Sequence, residues 1–422
     1  MGSRIAIIGT GYVGLTTGAC FAHIGHDVVC ADIDPVRIER LRQGILPIFE
    51  PGLQEIVDAG IASGRLSFVV GAAEAAKGCE FAYLCVQTPQ GEDGAADLTY
   101  LQQAAAEIAP VLPANSVVVN KSTVPVGSTK VVEKVLGRHD VAVVSNPEFL
   151  REGQAVTDWL KPDRVVIGSD SPSAATRVSE LYDATSGHVI ITDPASAETI
   201  KYAANAFLAT KISFINAVAA VCEAVGADVN DVVLGIGYDK RIGHEFLKPG
   251  PGWGGSCFPK DTRAMVKIAE DAGYDFNLLK GVVVVNDEQR ERMVAKVEQA
   301  VGGDLDGVHI AAWGLTFKAN TDDLRESPAV AIISELQARG AIVRAFDPQT
   351  KSHPSIECGA DAYEVCDGAQ ALIVLTEWDE FRWLDLVRIK SKMAAPHIVD
   401  TRNLLDRAAA IRAGFTYQGV GR

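Results

Sequence analysis

A chain of 422 residues is too long for one comfortable hydrophobic core, so two or three domains are expected. With 54 Asp and Glu against 39 Lys and Arg, the formal charge of -15 argues against bulk neutralisation of phosphates and hence against a nucleic-acid partner. A hydrophobic share of 48% and a charged share of 22% are ordinary for a globular protein, so an anionic ligand must be held by local features.

The eight cysteines, Cys20, Cys30, Cys79, Cys85, Cys222, Cys257, Cys358 and Cys366, are scattered and form no C-x-x-C pair. Buried free thiols in a reducing compartment fit most of them. No H-E-x-x-H and no Cys/His cluster points to a metal. The apolar run Ile5–Ile8 is short and enters a glycine turn, unlike a secretory leader, and Ala6 stands where a myristoylation signal needs Ser or Thr. No stretch of about 18 uninterrupted apolar residues exists; even 212–225 contains Asn216 and Glu223. A cytoplasmic protein with no membrane partner is expected.

In chain order, β-branched runs at 4–8, 27–31, 81–86, 116–120, 141–145 and 164–168 alternate with helical patterns, which predicts a doubly wound parallel sheet. Asp34-Pro35 is a helix start, a capping acid followed by proline at the first helical position. From about 195 the strands stop. Residues 196–225 and 259–272 are rich in helix formers and read as a helical middle section. The alternation then returns: strands at 308–313, 342–346, 371–375 and 397–400, and a helix at 328–339. The expected α/β architecture is an N-terminal Rossmann-type domain over 1–195, a helical central domain over 196–300 suited to dimer contacts, and a C-terminal Rossmann-like domain over 301–422.

Gly9-Thr10-Gly11-Tyr12-Val13-Gly14 follows the first strand and opens a helix, and the second strand runs to Asp32, eighteen residues beyond Gly14. Glycines allow a tight turn and close approach to a pyrophosphate, the helix N-terminus supplies N–H groups, and the acid takes a ribose diol. A glycine turn alone often serves packing only. Strand, turn, helix, second strand and acid in order make a dinucleotide site the better reading, and Asp32 favours NAD over NADP even with Arg37 nearby.

The segment 246–261 is the most informative in the chain. Four glycines, Gly250, Gly252, Gly254 and Gly255, precede Cys257, which makes a mobile or close-approach loop. Pro259 suits a first helical turn and Gly273 a helix stop, so Cys257 lies just ahead of a helix N-terminus. There the dipole and Lys260 favour a thiolate. A cysteine taken blind is usually a small core residue, which remains the reading for Cys20, Cys30, Cys85 and Cys222.

These motifs resemble those of the UDP-glucose/GDP-mannose dehydrogenase family along essentially the whole chain. They include the Gly9–Gly14 turn with Asp32-Ile33-Asp34, Pro47-Ile48-Phe49-Glu50-Pro51-Gly52, Thr88-Pro89 and Lys121-Ser122-Thr123-Val124-Pro125-Val126-Gly127. Asn146 to Gly153, Lys201 to Asn205, Gly254 to Asp261, Phe317-Lys318 through Arg325-Glu326-Ser327-Pro328, and Asp400-Thr401-Arg402 complete them. The run Tyr238 to Gly243, with Arg241, and Ser256 before the cysteine are similar to the UDP-glucose branch.

The resemblance implies two successive oxidations of the C6 alcohol of UDP-glucose, giving UDP-glucuronate with two NAD. Cys257 is then the nucleophile that carries a thiohemiacetal and a thioester. Lys201 is expected to stabilise the oxyanion; Asp261 and Glu148, with Thr123, handle protons and the hydrolytic water. Asn205, four residues after Lys201, faces the same side of one helix. Phe149, Leu150, Glu152, Arg241, Phe246, Leu247, Lys248, Gly250, Gly254, Lys318 and Arg402 fall to substrate contacts by the same resemblance, together with Glu148, Lys201 and Asn205. Thr88, Ser122, Thr123, Glu152, Lys260 and Arg325 are expected near the cofactor, beside Gly9, Gly11, Tyr12, Val13, Gly14, Asp32 and Arg37. A homodimer or higher homo-oligomer is expected. The competing readings are a GDP-mannose or UDP-N-acetylhexosamine 6-dehydrogenase, a silent nucleotide-sugar-binding protein, and a one-step hydroxyacid dehydrogenase, which has no need of Cys257.

Overall fold

The computed structural model describes residues 2–89, 91 and 96–422, and its internal contacts divide the chain into two units, Met1–Ala204 and Asn205–Arg422. The first unit is built on eight strands: β1 (Arg4–Ile8), β2 (Asp27–Asp32), β3 (Leu66–Val70), β4 (Phe81–Leu84), β5 (Val117–Asn120), β6 (Ala142–Ser145), β7 (Arg164–Gly168) and β8 (His188–Thr192). Their order is β3-β2-β1-β4-β5-β6-β7-β8. Neighbours are parallel except β6 and β7, which meet antiparallel at Ser145 and Gly168. In β1 and in β4 to β7 both faces are buried, as is usual for parallel strands. In β1, Ile5 and Ile7 join one apolar cluster with Phe21, while Ala6 and Ile8 join another with Leu101.

The strands expected from the sequence are all present, and β3 and β8 are additions. β8 was missed because it lies on the sheet edge with Val189, Ile190 and Ile191 exposed, so its apolar run reports no buried face. The predicted start at Asp34-Pro35 is present: the Asp34 carboxylate accepts from the amides of Val36 and Arg37.

The helix Pro194–Val225 has 32 residues, and by length and composition it is apolar enough to cross a membrane. Its buried polar residues argue otherwise. The Glu198 carboxylate accepts from the amides of Gly127 and Thr129 and from the Thr129 hydroxyl. Lys201, Asn205, Ser213 and Asn216 are buried against protein partners as well. Such side chains need fixed partners inside a protein.

In the second unit the helices Val229–Gly237, Phe258–Asp271 and Asn277–Val301 precede a six-stranded parallel sheet. Its strands are β9 (His309–Trp313), β10 (Ile342–Phe346), β11 (Glu357–Cys358), β12 (Ala371–Val374), β13 (His397–Asp400) and β14 (Thr416–Gln418), ordered β11-β10-β9-β12-β13-β14. β11 and β14, of two and three residues, carried too little pattern to be read. The turn after β9 repeats the one after β1. Gly314 after β9 has a φ of 95°, as Gly9 after β1 has 102°, and both amides donate to the strand ahead of the acid. The Asp347 carboxylate then binds the amides of Leu315 and Thr316, as Asp32 binds that of Thr10.

Lys121, just after β5, is buried among neutral partners: its Nζ donates to Asn146 Oδ1 (3.1 Å) and to the Tyr182 hydroxyl (3.3 Å). Burial lowers its pKa from 10.5 to about 8, an effect that Cys85 and Glu148 oppose and Lys201 reinforces. Between those values the unfolded chain binds more protons than the folded one, so stability rises with pH there; below about 8 the full cost of the buried ammonium is present. Lys121→Met leaves Asn146 and Tyr182 bonded to each other at 2.6 Å. In urea titrations, its stability relative to the unsubstituted protein should therefore fall as pH rises from about 8 to 10.5. A pH-independent difference would show that Lys121 does not titrate in this way.

Candidate functional site

The glycine turn after β1 is shaped by close contacts. A Cβ at Gly9 would stand 2.6 Å from the Cys85 carbonyl oxygen, and one at Gly14 would stand 2.0 Å from that of Gly9. Gly11 is different. Among the described residues nothing lies within 4 Å of where its Cβ would be, and it begins the helix Tyr12–His23 with no side-chain cap and no acid in the first turn. Backbone donors beside open space suit a pyrophosphate.

Asp32 accepts from the Thr10 amide (3.0 Å) and hydroxyl (2.7 Å) through Oδ2 and from the Asp34 amide through Oδ1. Burial alone would raise its pKa, but these bonds and Arg37, 3.6 Å away, hold it below the usual carboxylate value. It is thus an anion, suited to a ribose diol and hostile to a 2′-phosphate. The residues fit NAD.

Tyr12, within the same turn, is tied down by a residue whose role the sequence did not show. Its hydroxyl is hydrogen-bonded to Glu50, and burial with that carboxylate pushes its pKa up. Glu50 also accepts from the amides of Gly153 and Ala155, both at 2.7 Å. One buried acid therefore ties the 146–153 loop to the start of the helix. Its motif, between Pro47 and Gly52, was visible; its partners were not.

Around the 146–153 loop, Glu148 and Lys201 form an ion pair of 2.8 Å with both side chains 4% exposed. Glu148 also accepts from the Leu150 amide at 2.6 Å. Burial would raise its pKa, yet the Lys201 charge and hydrogen bond, the Leu150 amide and Lys121 hold it low. The Phe149 ring lies 3.8 Å from the Arg164 guanidinium and 5.5 Å from Lys201 Nζ. Removing one partner of such a pair costs about 3–5 kcal/mol because the other charge stays buried. Nearby, Thr88 donates to the Thr123 carbonyl (2.8 Å), and Ser122 donates to the Val86 carbonyl (2.5 Å). The Ser122 hydroxyl thus braces the chain. Glu152 is half-buried in the same loop.

One turn beyond Lys201 on the helix, Asn205 Nδ2 donates to Asp261 Oδ2 at 2.6 Å. Asp261 is 1% exposed and also ion-paired with Lys260. Its amide donates to the Cys257 carbonyl, so Cys257 is the N-cap of the helix Phe258–Asp271, with Pro259 in the first turn as expected. Cys257 is half-buried, with Ser256 Oγ 3.6 Å from its sulfur. The contrast with other thiols is clear: Cys20, Cys30, Cys85 and Cys222 are buried in the core, and burial raises Cys20 and Cys85 to about 12.

The loop leading to Cys257 is a close-approach loop. Residues 249–255 are all buried, and a Cβ at Gly254 would stand 2.0 Å from the Glu326 carbonyl oxygen. Leu247 is buried, Lys248 is exposed, and Phe246 adopts a φ of 60°, a strained backbone for a bulky residue. Arg402 donates to the carbonyls of Leu375 and Phe317 and pairs with Glu377. Its guanidinium lies near Gly250, and Lys318 Nζ stands 5.4 Å from the Phe317 ring. Arg325 is exposed and paired with Asp323. Arg241 is 88% exposed and paired with Asp239 in its own turn.

Three family models match in order: UDP-glucose/GDP-mannose dehydrogenase family, NAD binding domain, over residues 3–186; central domain, over 195–288; and UDP binding domain, over 311–407. The UDP-glucose 6-dehydrogenase of Rhizobium meliloti (strain 1021) is 48% identical over 99% of both chains. UDP-glucose 6-dehydrogenase TuaD of Bacillus subtilis (strain 168) is 46% identical over 99% of this chain and 93% of its own. The structure of a UDP-glucose dehydrogenase from the hyperthermophilic archaeon Pyrobaculum islandicum superposes with a TM-score of 0.93 at 37% identity, covering 100% of this chain and 98% of its own. An ordered glycine turn with its anionic Asp32, Cys257 at a helix N-cap and this agreement along the full length lead to one conclusion: the chain belongs to the UDP-glucose/GDP-mannose dehydrogenase family.

Proposed function

We propose that the protein oxidises UDP-glucose to UDP-glucuronate with two NAD, through a covalent intermediate on Cys257. The observation that carries this reading is the half-buried Cys257 at a helix N-terminus, one turn ahead of the buried Asp261–Asn205 pair. The Gly9–Gly14 turn and Asp32 would hold NAD, which when bound would supply the hydride acceptor for both oxidations.

An aldehyde has no second hydride to give until a nucleophile adds to it. The Cys257 thiolate adds to the C6 carbonyl and forms a C–S bond, and the resulting thiohemiacetal again carries a hydrogen on C6. Its oxidation leaves a thioester. Water attacks that carbonyl, the C–S bond breaks, and the thiol and carboxylate separate. Lys201 offers its ammonium to the oxygen that becomes negative as sulfur or water adds. Glu148, held as an anion beside it, takes the proton from the attacking water, with Thr123 helping to hold that water. Asn205 fixes Asp261 and addresses the sugar from the same side of the helix as Lys201. Arg402, Lys318, Arg241 and Lys248 supply positive charge and donors for the UDP-sugar, and the backbone of the 246–254 loop supplies further contacts. Thr88, Ser122, Glu152, Lys260 and Arg325 stand as proposed neighbours of the cofactor. The domain limits proposed are 1–195, 196–300 and 301–422.

The partner proposed is a second copy of the chain. On the helix Pro194–Val225, Phe207, Phe214 and Val221 recur every seven residues and are all exposed, so they form one apolar stripe, with Val225 beside it. A stripe of this kind is self-complementary across a two-fold axis. Light scattering should give a mass of at least twice 44.8 kDa. Phe207→Glu combined with Phe214→Glu should reduce it to the single-chain value, and an unchanged mass would place the contact elsewhere.

Counting NADH released per nucleotide sugar tests the chemistry. UDP-glucose should yield two, GDP-mannose and UDP-N-acetylhexosamines far less. Cys257→Ser should lower turnover by on the order of a thousandfold or more and release no UDP-glucuronate. Undiminished acid production by that variant would end the covalent reading. Glu148→Gln should accumulate a UDP-glucuronyl adduct on Cys257, seen by mass spectrometry of quenched mixtures. A bare sulfur throughout would remove Glu148 from the hydrolysis.

A further inference from the structure

Four polar side chains with no part in the chemistry above meet on the loop ahead of Cys257. Two come from the helix Pro194–Val225 and two from the helix Asn277–Val301, in each case three residues apart and so on one helix face. From the first helix, Asn216 Oδ1 accepts from the Gly250 amide at 2.8 Å, and Ser213 Oγ accepts from Trp253 Nε1 at 2.9 Å. From the second, Gln289 Nε2 donates to the Gly250 carbonyl at 2.8 Å. Asn286 takes both backbone groups of Trp253, its Oδ1 accepting from the amide (2.8 Å) and its Nδ2 donating to the carbonyl (3.1 Å). Ser213 in turn donates to the Val282 carbonyl on the second helix at 2.8 Å. All four are buried, none more than 3% exposed.

We infer that Ser213, Asn216, Asn286 and Gln289 are positioning residues, a clamp that holds Gly250 and Trp253 so that the loop can bind the sugar nucleotide and present Cys257. This rests on the proposed role of the 246–257 segment as the substrate loop. Three features point the same way. Both N–H and C=O groups of Gly250 and of Trp253 are taken by side chains, an unusual way to satisfy a buried loop that belongs to no strand or helix. Gly252 is built around the clamp, with a φ of 114° and a missing Cβ that would stand 2.8 Å from Asn286 Oδ1. The clamp also answers a specific need: an apolar side chain in place of Asn216, Asn286 or Gln289 would leave a buried backbone group of Gly250 or Trp253 unpaired. Each carboxamide is desolvated to meet it, and among the described residues Asn216 Nδ2 has no partner of its own.

The test uses the full chain carrying Gln289→Met or Asn286→Leu, each close in volume to the native residue, with Ser213→Ala as the gentler variant should either fail to fold. Hydrogen exchange at the amides of Gly250 and Trp253 should speed up by tenfold or more, while the helix Phe258–Asp271 keeps its protection. The KM for UDP-glucose should rise by about tenfold and the KM for NAD should stay put. A merely structural loss would lower the active fraction and move neither KM. Unchanged exchange at Gly250 and Trp253 overturns the clamp. Faster exchange with both KM values and kcat intact overturns its positioning role. A native protein that reduces no NAD with UDP-glucose counts against the functional reading alone, and the clamp is then judged by the exchange data.

Discussion

The ion pair between Lys201 and Glu148 sets an anion against a buried ammonium, with both side chains 4% exposed. Much of the first unit is arranged around it. Glu148 is presented by the loop after β6, and Glu50 ties the far end of that loop to the first helix through the Gly153 and Ala155 amides. Glu198, one turn before Lys201, binds the start of the helix Ser128–Leu136, which follows Thr123 and its neighbours. Beside the apolar packing of residues such as Tyr202, Ile215 and Ala219, a few polar contacts thus fix the long helix and leave little tolerance in rotation or register.

The same helix explains an ambiguity in its own composition. An average over eighteen residues cannot tell a membrane span from a soluble helix with a few buried polar groups. In either setting those groups need partners inside the protein, and the partners are a property of the fold. Glu198, Lys201, Asn205, Ser213 and Asn216 each have one among the described residues.

Much of the architecture was legible in the sequence because strands buried on both faces carry dense β-branched runs and because glycine marks sharp turns. Gly9, Gly14 and Gly254 could be read as close-approach points, and each does abut another backbone carbonyl. The strand β8 was not legible, since an edge with exposed isoleucines has no periodicity set by burial. Among the candidate catalytic residues, Cys257, Lys201, Glu148 and Asp261 stood out by motif. Ser213, Asn286 and Gln289 did not, and the motif around Glu50 did not reveal its partners: all four act on groups far away in sequence, and a single polar residue has no local signature of its distant partner. Whether a glycine-rich loop is loose or tightly packed is equally hidden, because glycine serves both ends.

The two sheets repeat one device with different outcomes. After β2, Asp32 keeps unused acceptor capacity and some exposure. After β10, Asp347 is wholly enclosed, one oxygen receiving Leu315, Thr316 and Trp378 and the other the amides of Gln349 and Thr350. A carboxylate so saturated has nothing to offer a sugar hydroxyl. The later copy of the turn is thereby disqualified from capturing an adenosine ribose in the manner of the earlier one, and of the two turns the first alone can serve as such a berth.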